Sequence, residues 1–481
     1  MICHIRRFDR IAAAVAQAEW RSMLRNRVAR IASLLLLALT LAASLVSHEQ
    51  MRAATTERER FQASADRHWN EQPARHPHRV VHYGHYVFRP LSPLAFFDAG
   101  VDPYTGHTLF LEGHRQNSAN FSEAVQSSVL LRFGQLTPAF VLQVLTPLLI
   151  VFLAFGSVAR ERELGQLRLL IAQGASGGAV LAGKLAAHAL VAVLLALPAL
   201  GALAAIAVSA PEVAAQAGWM ALGYGLYLLV WSALAVLVSS SLPRARDALL
   251  ALAGCWIVTV VALPRVLPDV AATLVERPTR IETEGAIVEA LAAIGDSHNP
   301  DDPHFAAFRQ QVLQRYGVAR IEDLPVNYSG LLMAEGERLT SELFERTMRV
   351  DFARQERQGS LVEGAAVVSP VIALRRLSMA MAGTDGASHA HFLLAAERYR
   401  YALIQALNHL HATRVGFYKD KEQRLADDHW KAMPRFAYTG APLREQVARA
   451  VLPAALPLAV WIAALAAASV WVARRLDRSP A

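Results

Sequence analysis

The sequence predicts an all-α polytopic membrane protein with six transmembrane helices and two large extracytoplasmic insertions, the second mainly helical. Three observations predict this class: the composition, the length of the apolar runs, and the placement of charge. Of the 481 residues, 54% are hydrophobic and 18% are charged, and the mean hydropathy is +0.27. A water-soluble surface needs more charged side chains than this. The composition therefore excludes a disordered chain, a collagen-like repeat and one large soluble enzyme.

Six apolar runs are long enough to cross a hydrocarbon core about 30 Å thick. They span residues 31–47, 136–158, 185–209, 218–240, 248–267 and 448–472. The first run is the shortest, and a cleaved signal peptide is the alternative explanation for it. We interpret it as an uncleaved anchor, because about thirty residues precede it and no small-residue cleavage site follows.

Basic residues are concentrated in four short segments, residues 1–30, 159–184, 241–247 and 473–481. Together they carry more positive charge than the whole chain, whose net charge is +8, so the rest of the chain is slightly acidic. Short basic segments stay in the cytoplasm, and six spans put all four on one side. The prediction is a multi-pass membrane protein, surrounded by lipid, with both termini cytoplasmic. The dispersed charge excludes nucleic acid as a partner.

Two insertions, residues 48–135 and 268–447, then lie outside the membrane. In the second, apolar residues recur from Phe392 with the 3–4 spacing of one helix face. The sequence Gly383-Thr384-Asp385-Gly386 predicts a turn between two helices, and Ser388 is the predicted N-cap of the helix that follows.

The basic segment 159–184 begins with Arg160-Glu161-Arg162-Glu163 and continues into an amphipathic run. On one helix, Leu164, Leu167 and Ile171 would share an apolar side that holds the segment against the spans. Such a helix can transmit force from a soluble partner to the membrane, although a plain linker is the alternative. The candidate coupling residues are Arg160, Glu161, Glu163, Gly165 and Arg168.

Residues 178–184 match the phosphate-binding pattern GxxxxGK, but Leu185 stands where Ser or Thr would ligate magnesium. We therefore predict that this chain binds no ATP. The sequence contains no recognisable catalytic motif, and its two cysteines, Cys3 and Cys255, suggest no disulfide or thiolate site. The chain is predicted to be non-catalytic and to have no cofactor of its own.

All but two of the 17 histidines lie in the insertions. His76, His78, His82 and His85 place imidazoles near one another, which suggests a metal-handling protein as an alternative function. No carboxylate or cysteine is interleaved among them, and Pro77 restricts the geometry. We therefore predict exposed histidines and no metal site. The pairs His389/His391 and His409/His411 are also dismissed, because residues two apart do not share a helix face.

These features carry a resemblance to a known family. The basic stretch 11–30 and the segment from Arg160 to Gly183-Lys184-Leu185 resemble parts of the membrane (permease) subunits of ABC transporters of the type-2 exporter class. The second insertion resembles a bacterial subfamily with a large extracytoplasmic domain of unknown function. The residues that carry this second resemblance are Ser369, Pro370, Gly383, Thr384, Asp385, Phe392, Glu397, Tyr399 and Arg400.

The resemblance implies a permease of the bacterial cytoplasmic (inner) membrane. It would work with separate ABC ATPase subunits, which hold ATP and magnesium, and with a second copy of itself or a related permease. Dimerising ATPases would push on residues 160–174 and tilt the spans between inward and outward states. A rival from another class is a membrane-anchored receptor or assembly protein whose external domains bind a partner and transport nothing.

Overall fold

A computed structural model describes residues 2–115, 136–295, 299 and 302–478. The predicted end of the first insertion, residues 116–135, and the last residues of the C-terminal tail, 479–481, lie outside the described residues. Six helices are long and apolar enough to cross a membrane, and we number them first to sixth. They are Arg27–Asn70, Pro138–Glu163, Gly177–Ser209, Pro211–Ser241, Ala245–Leu274 and Leu443–Arg478. Each contains all or most of one predicted apolar run, so the predicted all-α polytopic class is confirmed.

The first span is longer than its apolar run. Its 44 residues extend about 66 Å at 1.5 Å per residue, roughly twice a bilayer core. The second half therefore continues into the first insertion, where Trp69 is buried. A separate N-terminal helix, Ile2–Arg25, precedes this span. It lies so close to the third span that a Cβ on Gly183 would be 2.5 Å from the carbonyl oxygen of Ala12.

Three spans contain a π-helical turn: Val141–Leu145, Ile257–Ala262 and Val447–Val451. Each turn ends two residues before a proline, namely Pro147, Pro264 and Pro453. Proline has no N–H to donate and its ring crowds the carbonyl four residues earlier, so the helix widens locally.

The described part of the first insertion contains a short helix, Pro77–Val81, and two antiparallel strands, His85–Phe88 and Thr108–Leu111, with His85 opposite Leu111. The helices of the second insertion are Arg280–Ile294, Pro303–Tyr316, Tyr328–Gly364, Pro370–Ala382, Gly386–Arg414 and Asp428–Lys431. This insertion is mainly helical, as predicted.

The two insertions share their hydrophobic core. Val80 and Val81 of the short helix pack with Leu403, Leu407 and Trp430 of the second insertion. A second cluster joins the strands, through Val87 and Leu109, to Phe392 and Ala396. The segments that the sequence presents as two insertions therefore fold together.

The predicted turn at residues 383–386 is confirmed, because Pro370–Ala382 ends there and Gly386–Arg414 begins. Gly383 has φ +70°, the left-handed conformation that ends many helices. The prediction that Ser388 is the N-cap was wrong. The helix starts two residues earlier, and the Asp385 carboxylate accepts a 3.0 Å hydrogen bond from the Ser388 backbone N–H.

Candidate functional sites at the two faces of the bundle

The spans end in two faces. The loop face consists of the N-terminal helix, residues 159–176, the turn 241–244 and the end of the sixth span. These short segments meet one another: Gly177 N donates to Asp477 Oδ1 at 2.6 Å, and Arg162 donates to the carbonyl of Leu242 at 2.6 Å. The domain face consists of the two insertions.

The predicted coupling segment forms two short helices, Ala159–Glu163 and Gln166–Ala172, which we call the paired loop helices. Gly165 separates them with φ +72°. The expectation of one amphipathic helix was therefore wrong, because a left-handed residue ends the first helix. The predicted apolar stripe is incomplete for the same reason: Leu167 is fully buried, whereas Leu164 is 65% exposed.

The inner side of the paired loop helices is held by neighbouring spans. Arg162 donates hydrogen bonds of 2.6 Å to the carbonyls of Ser240 and Leu242 at the end of the fourth span. Glu163 Oε1 accepts a 3.1 Å bond from Ala245 N, where the fifth span begins. Arg162 was not among the predicted coupling residues, and nothing in the local sequence distinguishes it from Arg160.

In the part of the chain that the structure describes, the outer side of these helices is largely uncovered. Arg160, Gly165 and Arg168 are exposed, as are two leucines, Leu164 at 65% and Leu169 at 63%. The structure thus gives the candidate coupling residues different positions. Arg160, Gly165 and Arg168 face outward. Glu163 is also exposed, but its carboxylate, like that of half-buried Glu161, is bonded within the chain.

A cluster of buried polar groups lies under the paired loop helices; we call it the buried network. Lys184 Nζ binds the carboxylate of Glu161 and, at 2.7 Å, that of Glu19. Glu19 Oε1 accepts a 2.8 Å bond from Ser157 and lies 3.1 Å from His188 Nε2. The network joins the N-terminal helix to the second and third spans.

The sequence contained a signal for this network that we missed. Lys184 and His188 are four residues apart at the start of an apolar run, so they share one helix face. Ionisable groups at such positions need partners, and Glu19 is the carboxylate that the N-terminal helix supplies. Lys184 is only 2% exposed and is engaged by carboxylates, so it is not presented on a phosphate-binding loop.

On the domain face, helix Pro370–Ala382, which we call the signature helix, reaches all three π-helical turns. Ser369 Oγ donates to the carbonyl of Thr259 at 2.5 Å, and Arg376 Nη2 donates to that of Arg449 at 2.5 Å. Arg375 Nε donates to the side-chain oxygen of Gln143 at 3.1 Å.

Two of these turns show why such donors are needed. Gln143 and Arg449 lie four residues before Pro147 and Pro453, so their carbonyls cannot receive the usual helical N–H. Arg376 supplies a donor to Arg449, and Tyr227 Oη donates to the carbonyl of Gln143 at 2.7 Å. Donors from neighbouring helices make prolines tolerable inside membrane spans.

The residues that carry the second resemblance all have structural contacts. Pro370 is at the start of the signature helix, and Thr384 Oγ1 donates to the carbonyl of Asp98 at 2.9 Å. Burial raises the pKa of the Asp98 carboxyl. Asp385 accepts a 3.0 Å bond from Arg449, besides capping its helix. These contacts fasten the turn 383–386 to the sixth span and to the first insertion.

The remaining residues of this group lie on helix Gly386–Arg414. Phe392 is fully buried, and Tyr399 packs against Phe436 with ring centres 5.4 Å apart. Arg400 is 1% exposed and binds Glu337 at 2.6 Å and Glu397 at 2.7 Å. The observed contacts of these residues are packing, capping and ion pairing.

The four histidines that the sequence places near one another do not form one group in the structure. His78 and His82 lie together at the short helix, with Nε2 atoms 3.3 Å apart, and His114 joins them from beyond the second strand. We call these three residues the histidine cluster. Burial, followed by the charge of His82, lowers the pKa of His78 to about 4.

The other two histidines are elsewhere. His76 Nδ1 accepts a 3.2 Å bond from His78 N and so caps the short helix, while His85 lies 3.5 Å from Asp66. His411, which was dismissed as a metal ligand, has partners on other elements: its Nε2 lies 2.6 Å from Asp420 Oδ1, close to His76. Spacing along one helix does not show which residues of other elements lie nearby. For the same reason, the sequence did not indicate that His114 lies beside His78 and His82.

Two family models match the chain. The model described as ABC-2 family transporter protein matches residues 13–315, and the domain of unknown function DUF3526 matches residues 280–439. No curated protein matches the chain. The first match covers more than half of the sequence and includes five of the six spans, the buried network and the paired loop helices. The chain therefore belongs to the ABC-2 family of transporter proteins, with a DUF3526 domain within its second insertion.

Proposed function

We propose that this chain is the permease subunit of an ATP-driven exporter in a bacterial inner membrane. Its loop face, with both termini, is cytoplasmic and receives separate ABC ATPase subunits that hold ATP and magnesium. A second copy of the chain or a related permease completes the transport pathway. Membership of the ABC-2 family supports the permease role.

One observation carries the coupling part of this proposal: the paired loop helices are exposed on one side and fixed on the other. Leu164 and Leu169 are among the most exposed leucines of the loop face, beside Arg160 and Arg168. An apolar patch bordered by basic residues is typical of a surface that a protein partner covers.

A push on this surface would reach several spans at once. Arg162 binds the end of the fourth span, and Glu163 binds the start of the fifth. Through Glu161 and Lys184, the buried network carries the contact to the third span and the N-terminal helix. The helices thus have the connections that a force-transmitting element needs.

This proposal changes the roles first predicted for two residues. Glu161 and Glu163 were predicted to be coupling residues, but both carboxylates have partners inside the chain. We therefore assign them to anchoring, and we assign docking to Arg160, Leu164, Arg168 and Leu169.

The test is to copurify the chain with an ABC ATPase subunit, chosen from the reading frames next to its gene by an intact GxxxxGK[ST] loop. The double variant Leu164→Ser with Leu169→Ser should retain at least tenfold less ATPase, since burying each leucine contributes about 1.5–3 kcal/mol. The control is Val350→Ser with Leu361→Ser, which changes two other exposed apolar residues, at 48% and 44%, on the domain face.

The control should copurify as the wild type does. Equal recovery of ATPase with both double variants, together with wild-type transport, would show that the loop is only a linker. If the wild-type chain retains no ATPase, the rival interpretation as a receptor or assembly protein is favoured instead.

A further inference from the structure

We infer that the histidine cluster, His78, His82 and His114, binds a divalent transition-metal ion of the Zn²⁺ or Cu²⁺ class on the domain face. The site is formed by the first insertion and supported by the second. The inference does not rest on the transport function, because it uses only groups on the domain face.

The spacing of the nitrogens fits one ion. Two ligands at 2.0–2.1 Å from a tetrahedral metal are separated by about 3.3 Å. The Nε2 atoms of His78 and His82 are 3.3 Å apart. One ligand nitrogen from each of the three residues lies within 4.8 Å of the others, so a small side-chain adjustment brings the third nitrogen to the same ion.

The backbone holds the three residues in place. His78 and His82 are four residues apart at the short helix, the spacing of a metal-binding histidine pair. The loop that carries His114 is attached to this helix by a 3.1 Å bond from Gly113 N to the carbonyl of Val81. A Cβ on Gly113 would lie 2.1 Å from Val81 Cγ1, so only glycine permits this approach.

His114 adopts an unusual backbone conformation. Among the residues that the structure describes, it is the one non-glycine residue with positive φ, at +62°. Such conformations occur disproportionately at functional sites, where the surrounding structure holds them. Here the holding group is Glu337, whose Oε2 accepts a 3.1 Å bond from His114 N.

Glu337 also lies behind the imidazole ring. Its Oε2 is 3.4 Å from His114 Nδ1, and its other oxygen binds Arg400 at 2.6 Å. A carboxylate in this position orients a metal-binding histidine and raises its basicity. The buried ion pair that fixes Glu337 therefore belongs to the support of the proposed site.

The ligand chemistry selects the class of metal. Three imidazoles, with no directly facing thiolate, suit Zn²⁺, Cu²⁺ or Ni²⁺ and are poor ligands for Ca²⁺ or Mg²⁺. His82 is exposed, which gives an ion access from solvent and leaves room for water as a fourth ligand.

The neighbouring group of His76, His411 and Asp420 is not proposed as a second site. Its carboxylate Oδ1 already lies 2.6 Å from both His411 Nε2 and Asn327 Nδ2. His76 Nδ1 accepts the cap bond from His78 N. These hydrogen bonds already engage the carboxylate and one nitrogen of each histidine.

The test uses the full-length protein in detergent, purified without a polyhistidine tag and stripped with a chelator. Titration with Zn²⁺ against a chromogenic indicator should show about one equivalent bound with micromolar or better affinity. His82→Ala should weaken this binding at least tenfold. The control His409→Ala, which replaces another exposed histidine on the domain face, should bind as the wild type does.

A second readout is the visible spectrum of bound Co²⁺, which should show tetrahedral coordination in the wild type and lose it in His114→Gln. His82 is exposed, so His82→Ala should keep the wild-type melting temperature without metal. The inference is wrong if the wild type binds no Zn²⁺ at micromolar concentrations, or if His82→Ala and His409→Ala bind it equally. Neither measurement requires the ATPase, so the metal-site inference can fail while the transport proposal stands.

Discussion

The chain covers the two faces of its membrane bundle to different extents. At the loop face, short connections leave Leu164 and Leu169 exposed above a buried network of charges. At the domain face, the chain covers its own span ends, because the signature helix occupies the space between the π-helical turns. The loop face thus presents a surface for a partner, whereas much of the corresponding position on the domain face is already filled.

The buried network and the signature helix hold the span ends by different kinds of contact. The loop face depends on opposite charges buried together, and removing one member of such a pair costs about 3–5 kcal/mol. The signature helix and its N-cap residue hold the span ends of the domain face by hydrogen bonds from Arg376 and Ser369 to backbone carbonyls. Losing the donor to a buried acceptor costs about 1–3 kcal/mol. A single substitution in the buried network should therefore cost more than the loss of one carbonyl hydrogen bond at the signature helix.

The largest expected difference between the two faces is their location on opposite sides of the membrane. Reporter fusions at Ser176, Arg244 and Arg475 should score as cytoplasmic, whereas fusions at Gly84 and Pro325 should score as external. The reason is the concentration of basic residues on the loop face. An external score for Arg475 would mean an odd number of spans and would remove the basis of the comparison.

The next effect is on stability at the loop face. Lys184→Ala leaves the carboxylates of Glu19 and Glu161 buried without their cation, and should lower the free energy of unfolding by about 3–5 kcal/mol. Thermal unfolding in detergent measures the change. The control is Lys431→Ala, whose ion pair with Asp427 is exposed and should matter little. Similar melting temperatures for the two variants would contradict the structural importance of the buried network.

The smallest effect is expected at the domain face. Ser369→Ala removes the donor to the Thr259 carbonyl in the fifth span and should cost about 1–2 kcal/mol. Ser360→Ala is the matched control, because its hydroxyl bonds to the Arg357 carbonyl on an exposed stretch of helix. If Ser369→Ala lowered the free energy of unfolding as much as Lys184→Ala does, the expected difference between the signature helix and the buried network would be contradicted.

Several local features could be predicted because they depend on neighbours along the chain. The turn at residues 383–386 follows from glycines that interrupt two helical patterns, and the structure has it. The break at Gly165 was missed although the glycine was visible, because helical spacing alone does not show which glycine adopts positive φ. The choice between Asp385 and Ser388 as N-cap depended on the helix start, which pattern reading places only within a few residues.

The sites depend on contacts that no local pattern contains. His114 meets His78, Ser369 meets Thr259, and Glu19 meets Lys184, in each case across separate elements. Sequence spacing identified His78 and His82 but grouped them with His76 and His85. In the fold, His76 lies near Asp420 and His85 near Asp66. The chemistry of a residue can be read directly, whereas its partner is set by how the elements pack.

The sequence by itself determined the membrane class, the six spans and the basic character of the loop face. These features depend on the length and polarity of continuous segments, because length and polarity decide whether a segment crosses the bilayer and on which side its flanking charges remain. Only the tertiary structure decided that the two insertions share one core, that Glu161 faces Lys184, and that three histidines converge. Those outcomes depend on side-chain packing between segments far apart in the chain, and such packing forms only when the whole chain has folded.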